Sequence, residues 1–218
     1  LKRLVVEKKY MKQINIDYRL YLVTDRTILG GKSFIHSIEE AILGGVTLIQ
    51  LREKHSTALE FYQLGLKVKE LTAKYNIPLI INDRIDIAVA LNADGVHVGQ
   101  KDLPCRVVRK LIGDSKILGV SAATLEEAEK AEMEGADYIG VGALFPTGTK
   151  EDTREVTLDN LRNIKKTISI PVIGIGGINK HNIEAVKTTG IDGAAVVSAI
   201  LSQKNIKEAS RYLYEKLT

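Results

Sequence analysis

The chain has 218 residues, of which 44% are hydrophobic and 27% charged, with a formal charge of +4. Mean hydropathy is close to zero, the balance of a water-soluble globular protein rather than a disordered or membrane one. No apolar run approaches the roughly 20 residues that span a bilayer.

Residues 1–17 mix Lys2, Arg3, Lys8, Lys9 and Lys12 with isolated aliphatics and lack the continuous apolar stretch of a secretory signal, so a cytoplasmic location is expected. This segment is read as an N-terminal extension, and residues 18–218 as one catalytic domain. Cys105 is the single cysteine, which excludes an internal disulfide and a cysteine-rich metal site and leaves a structural thiol. The basic pI near 9.0 raises the question of nucleic acid. Acids and bases alternate along the helical segments, however, as in Lys67-Val68-Lys69-Glu70 and Glu126-Glu127-Ala128-Glu129-Lys130. Solvated helix faces and cations gathered around small anions account for the charge without nucleic acid.

In chain order, strands are predicted over 19–24, 47–51, 78–82, 95–98, 116–121, 138–141, 171–175 and 194–197. Helical spacing fills the intervals, over 37–43, 57–74, 85–91, 105–112, 125–134, 158–167, 183–188 and 206–217. Gly44-Gly45, Asn92-Ala93-Asp94-Gly95, Gly135-Ala136-Asp137 and Gly190-Ile191-Asp192-Gly193 repeat one pattern, a helix stop followed by a buried strand. Strict alternation calls for parallel strands with crossover helices. An open doubly wound sheet uses the same local grammar. The count of eight and the lack of an early Gly-x-Gly-x-x-Gly favour a single-domain α/β fold, a (β/α)8 TIM barrel.

The downstream ends of these strands carry the polar clusters. Gln50, Arg52 and Lys54 alternate after the second strand, so all three point to the mouth while Leu51 faces the helices, a set suited to diphosphate. A strand end salt-bridged through Glu53 is the rival reading. Asp83 and Asp102 end the third and fourth strands beside Asn82; two carboxylates without His or Cys are what Mg²⁺ prefers, although Asp83 also stands where it would cap a helix. Thr147-Gly148-Thr149-Lys150 forms an anion clamp in a long loop, and Ser121 offers a further hydroxyl. Gly174-Ile175-Gly176-Gly177-Ile178 and Val197-Ser198 are placed to bind a monophosphate through backbone N–H groups. The histidines His36, His55, His97 and His181 are scattered, and His97 is read as a packed core residue. Two phosphate sites, one metal-assisted and one at strands seven and eight, suggest two substrates meeting over one barrel.

These motifs, from Tyr21 to Leu213, resemble the thiamine phosphate synthase family: Gln50-Leu-Arg-Glu-Lys54, Ile81-Asn-Asp83, Gly99-Gln-Lys-Asp102, Gly119-Val-Ser121, Phe145-Pro-Thr-Gly-Thr-Lys150, Gly174-Ile-Gly-Gly-Ile178 and Val197-Ser198. The resemblance implies a transferase that couples 4-amino-2-methyl-5-(hydroxymethyl)pyrimidine diphosphate to 4-methyl-5-(2-hydroxyethyl)thiazole phosphate, with Mg²⁺ as cofactor. By the family pattern Gln50, Arg52, Lys54, Asn82, Ser121 and Lys150 hold the pyrimidine diphosphate, with Leu51 and Glu53 in the same segment, and Asp83 and Asp102 hold the metal. Thr147, Thr149, Gly177, Val197 and Ser198 surround the thiazole phosphate, with Gly148 a further substrate-binding residue in the same loop, while Arg52, Lys54, Ser121 and Lys150 are the expected catalytic set. Ala123 stands where many members carry histidine. Phosphorylated small molecules are the expected partners, with no nucleic acid or membrane, and a homo-oligomer is compatible with the sequence. A thiazole tautomerase, which shares the barrel but has no diphosphate chemistry, and a non-catalytic sensor of pathway phosphates are the competing expectations.

Overall fold

The computed structural model describes residues 16–148 and 154–218. Eight strands pair in sequence order: β1 (Leu20–Val23), β2 (Leu48–Leu51), β3 (Leu79–Asn82), β4 (Gly95–Val98), β5 (Ile117–Ala122), β6 (Tyr138–Val141), β7 (Val172–Ile175) and β8 (Gly193–Val196). All pairs are parallel, and β1 pairs with β8 through Leu20↔Ala194 and Leu22↔Val196. That last ladder closes the barrel and rules out the open sheet.

The helices are α1 (Phe34–Leu43), α2 (Ala58–Lys74), α3 (Ile85–Ala90), α4 (Cys105–Ile112), α5 (Leu125–Met133), α6 (Leu158–Thr167), α7 (Ile183–Lys187), α8 (Ser198–Leu201) and α9 (Ile206–Leu217). Local chemistry starts several of them. Thr57 and Glu60 form a reciprocal capping box on α2, and Thr124, Thr157 and Asn205 cap α5, α6 and α9. Each such cap stabilises its helix by about 1 kcal/mol. Among the described residues, only α8 and a 3-10 turn at Arg26–Ile28 lie outside the predicted set, because three or four residues are too few to show a period.

Alternate strand residues enter two separate cores. Leu20, Leu22, Ile49, Leu51, Ile81 and Val96 pack outward against the helices. Tyr21, Val23, Leu48, Ile80, Ile117, Tyr138, Ile173 and Ala195 fill the barrel, with Ile16 and Tyr18 packed against them. Apart from Ile16 and Asp17, the predicted extension over 1–17 lies outside the described residues.

The interior is shaped around Tyr138, which is fully buried. A Cβ on Gly119, its neighbour on β5, would lie 2.1 Å from Tyr138 Cζ. Gly119→Ala should therefore lower stability by about 1–3 kcal/mol, the usual cost of overpacking a core. Urea unfolding measures it, and an unchanged midpoint would show that the ring has room to move.

Candidate active site

A cavity of about 480 Å³ opens at the downstream ends of the strands, within the size range of small-molecule sites. Parity decides what faces it. Gln50 continues the inward series after Leu48, and Arg52 and Lys54 extend it, so all three line the cavity. The outward series takes Leu51 into the outer core and Glu53 away to the neighbouring turn.

Two ion pairs cross between the ends of β1 and β2. Asp25 Oδ2 lies 3.5 Å from Arg52 Nη1, on the cavity side. One residue on, Arg26 grips the Glu53 carboxylate with Nε at 2.9 Å and Nη2 at 2.5 Å, and Ser56 adds a hydroxyl at 2.6 Å. Glu53 is thus the partner of Arg26 rather than of the cavity cations. Asp25 Oδ1 meanwhile accepts from the Thr27 amide at 2.9 Å and caps the 3-10 turn. Its two oxygens hold the turn and the arginine together.

Asn82, Asp83, Asp102 and Ser121 also line the cavity. Asp83 sits in the left-handed backbone region at φ 60°, a conformation that costs energy outside glycine and clusters at functional positions. The N-cap of α3 falls one residue later, on Arg84, and carries no side-chain cap, so the helix-cap expectation for Asp83 is not met. Asp102 Oδ2 accepts from the Gly99 amide at 2.7 Å and closes the loop after β4.

On the opposite side of the mouth, Thr147, Gly177, Val197 and Ser198 line the cavity. Gly177 has φ 64°, and a Cβ there would lie 2.7 Å from Phe145 Cβ, so only glycine lets the two loops approach. Ser198 opens α8, so the helix start, preceded by Val197, lies at the cavity wall. Gly148 is exposed and does not line the cavity, and Thr149 and Lys150 lie outside the described residues.

Sequence reasoning overlooked the cavity floor. Tyr21, His97 and Tyr138 line it together with Gln50 and Ser121. His97 is buried as expected, yet it is hydrogen-bonded at 2.9 Å through each ring nitrogen, to Tyr138 and to Ser121. Burial pushes the Tyr21 and Tyr138 phenols well above the ordinary tyrosine range, so both keep their protons. Setting the inward parity of β1, β4 and β6 beside that of β2 and β5 would have exposed this layer. Gln100, Lys101 and Arg154 are further lining residues; Arg154 pairs with Glu127 at 2.7 Å.

Cations and carboxylates at one side of the mouth and a glycine-rich loop beside a helix start at the other describe the class: a (β/α)8-barrel enzyme acting on small molecules. Comparison with known proteins narrows it. The family model described as thiamine monophosphate synthase matches residues 20–200, and the chain belongs to that family. It is 66% identical over 198 residues to a thiamine-phosphate synthase of Alkaliphilus oremlandii, covering 91% of this chain and 95% of the relative. A Clostridium tetani protein of the same name is 55% identical over 203 residues, covering 93% and 97%. The solved thiamine phosphate pyrophosphorylase from Pyrococcus furiosus superposes with a TM-score of 0.86 at 40% identity, covering 93% of this chain and 96% of that one.

Cys105 stays outside this chemistry. Its thiol is buried, donates to the Ala131 carbonyl at 3.6 Å, and is pushed up to about 11 by burial and then by the Glu134 charge. A raised value keeps the thiol protonated below that pH. At pH 8 the folded protein should react with a disulfide reagent far more slowly than the urea-unfolded chain, and equal rates would contradict the buried placement.

Proposed function

We propose that the chain is a thiamine-phosphate synthase, a transferase that joins the pyrimidine diphosphate to the thiazole phosphate and releases diphosphate. The observation that carries this reading is the pairing of Arg52, Lys54, Asp83 and Asp102 with the Gly177 and Ser198 loop ends around one cavity. A tautomerase needs no second anion site, and family relatives at 55–66% identity carry the synthase name.

The residues suit Mg²⁺. Asp83 and Asp102 face the cavity, and among the described residues no group of three or more His, Cys, Asp or Glu gathers to hold a metal. Mg²⁺ takes one or two carboxylates and fills its octahedron with substrate oxygens and water, whereas a closed structural zinc site needs four ligands. Bound there, the ion supplies positive charge to the diphosphate.

The remaining chemistry rests on side chains and on the substrate. The electron-rich aminopyrimidine stabilises a methylene cation, so the C–O bond breaks with both electrons leaving on the diphosphate. Arg52, tethered by Asp25, and Lys54 neutralise that leaving group, with Lys150 added on the strength of its motif alone. Gly177, Val197 and Ser198 hold the thiazole phosphate, so the ring nitrogen delivers its lone pair to the cation in a bimolecular step made effectively unimolecular. No protein nucleophile is needed.

Purified protein given both substrates should form thiamine phosphate, and a chelator should abolish it. Asp83→Asn and Arg52→Ala should each cost about 2–4 kcal/mol of transition-state stabilisation, or roughly 10²- to 10³-fold in rate, with the fold intact by circular dichroism. Folded protein that binds both substrates and makes no product would instead favour the sensor reading.

A further inference from the structure

Beneath the mouth, five side chains from five strands form one unbroken hydrogen-bonded chain across the barrel. Gln50 Nε2 donates to the Tyr21 hydroxyl over 2.7 Å, and the Tyr21 and Tyr138 hydroxyls lie 2.8 Å apart. Tyr138 Oη meets His97 Nδ1 at 2.9 Å, and His97 Nε2 meets Ser121 Oγ at 2.9 Å. Tyr21 and Tyr138 are 2% and 0% exposed, so water does not interrupt the links.

Each hydroxyl has one proton to give, so the direction of one link sets the next. An amide nitrogen only donates. Tyr21 therefore gives its proton to Tyr138, Tyr138 gives its own to His97 Nδ1, and the neutral imidazole carries its proton on Nε2 and donates to Ser121. The Ser121 proton is left for the cavity, and Gln50 offers its carbonyl oxygen there. Turning the Gln50 amide over reverses every link: the imidazole proton moves to Nδ1, Gln50 presents N–H, and Ser121 presents only an acceptor. The two mouth residues are thus bound to opposite roles.

We propose that His97 and Tyr138 are positioning residues that couple Gln50 to Ser121, holding Gln50 as an acceptor and Ser121 as a donor toward a heteroaromatic ring. Resting on the synthase reading, this deepens it: the ring must turn an exocyclic N–H toward β2 and a ring-nitrogen lone pair toward β5. An aminopyrimidine has that pattern. Its 4-oxo counterpart, with a carbonyl and a ring N–H, has the reverse and meets a matched site only when the whole chain inverts.

The imidazole tautomer is the readout, because a purely structural role for Tyr138 or His97 would not tie it to residue 50. With ¹⁵N-imidazole-labelled protein, the His97 signals are assigned by their loss in His97→Gln. The wild type should show the Nε2–H tautomer. Gln50→Glu, whose carboxylate only accepts, should show Nδ1–H. In Gln50→Glu/Tyr138→Phe the tautomer should equal that of Tyr138→Phe alone, since phenylalanine cuts the chain. Tyr138→Phe should also lower kcat/KM for the pyrimidine diphosphate about tenfold, the loss of one neutral hydrogen bond, while leaving inorganic diphosphate affinity unchanged. A wild-type Nδ1–H tautomer overturns the assigned roles of Gln50 as acceptor and Ser121 as donor, and a tautomer that stays Nε2–H in both the wild type and Gln50→Glu, or one that still responds through phenylalanine, overturns the coupling. Tautomers that behave as stated in a protein that makes no thiamine phosphate uphold the coupling and remove the synthase reading.

Discussion

Each strand residue at the barrel mouth shares its parity with a residue buried two or four positions earlier. Gln50 follows Leu48, Ser121 follows Gly119 and Ile117, and Gly140 follows Tyr138, all on the inward face. Because side chains alternate along a strand, burying the lower residue inside the barrel compels the upper one to face the cavity. Slipping β2 by one residue would exchange Gln50 and Arg52 for Leu51 and Glu53. The hydrophobic effect that fills the barrel is therefore what aims the polar groups, and fully burying each large apolar side chain contributes about 1.5–3 kcal/mol toward that register.

Above the strands, where parity no longer has a ladder to enforce it, ion pairs take over. Arg26 and Ser56 hold Glu53 outward, and Asp25 holds Arg52 on the cavity side. Tight glycine turns act similarly on the far side, where Gly177 lets the loop after β7 approach Phe145. The two halves of the mouth are built by different devices. That separation matches the chemistry proposed for the two anions, one leaving with its charge and one held throughout.

Most of the architecture was legible because alternation of strand and helix is written in periodicity, and eight repeats leave little choice of fold. The mouth residues were legible for the same reason, since Gln50, Arg52 and Lys54 show their parity within one motif. His97, Tyr21 and Tyr138 were not. Each lies inside an apolar run, where a polar atom reads as an isolated core residue until the neighbouring strands are set beside it. Asp25 and Arg26 were missed because their partners stand 27 residues away, beyond any local pattern. Asp83 was ambiguous between cap and ligand, and its left-handed backbone is a tertiary property that no residue type announces.

The central claim is that one barrel mouth holds two anion sites built from different strands. Calorimetric titration of the wild type, Arg52→Ala and Gly177→Ala with inorganic diphosphate plus Mg²⁺, and separately with the thiazole phosphate, tests it most directly. Arg52→Ala should weaken diphosphate about tenfold or more and leave the thiazole phosphate unchanged, and Gly177→Ala should do the reverse. Substitutions that weaken both ligands alike, or a wild type that binds only one of them, would contradict the division of the site.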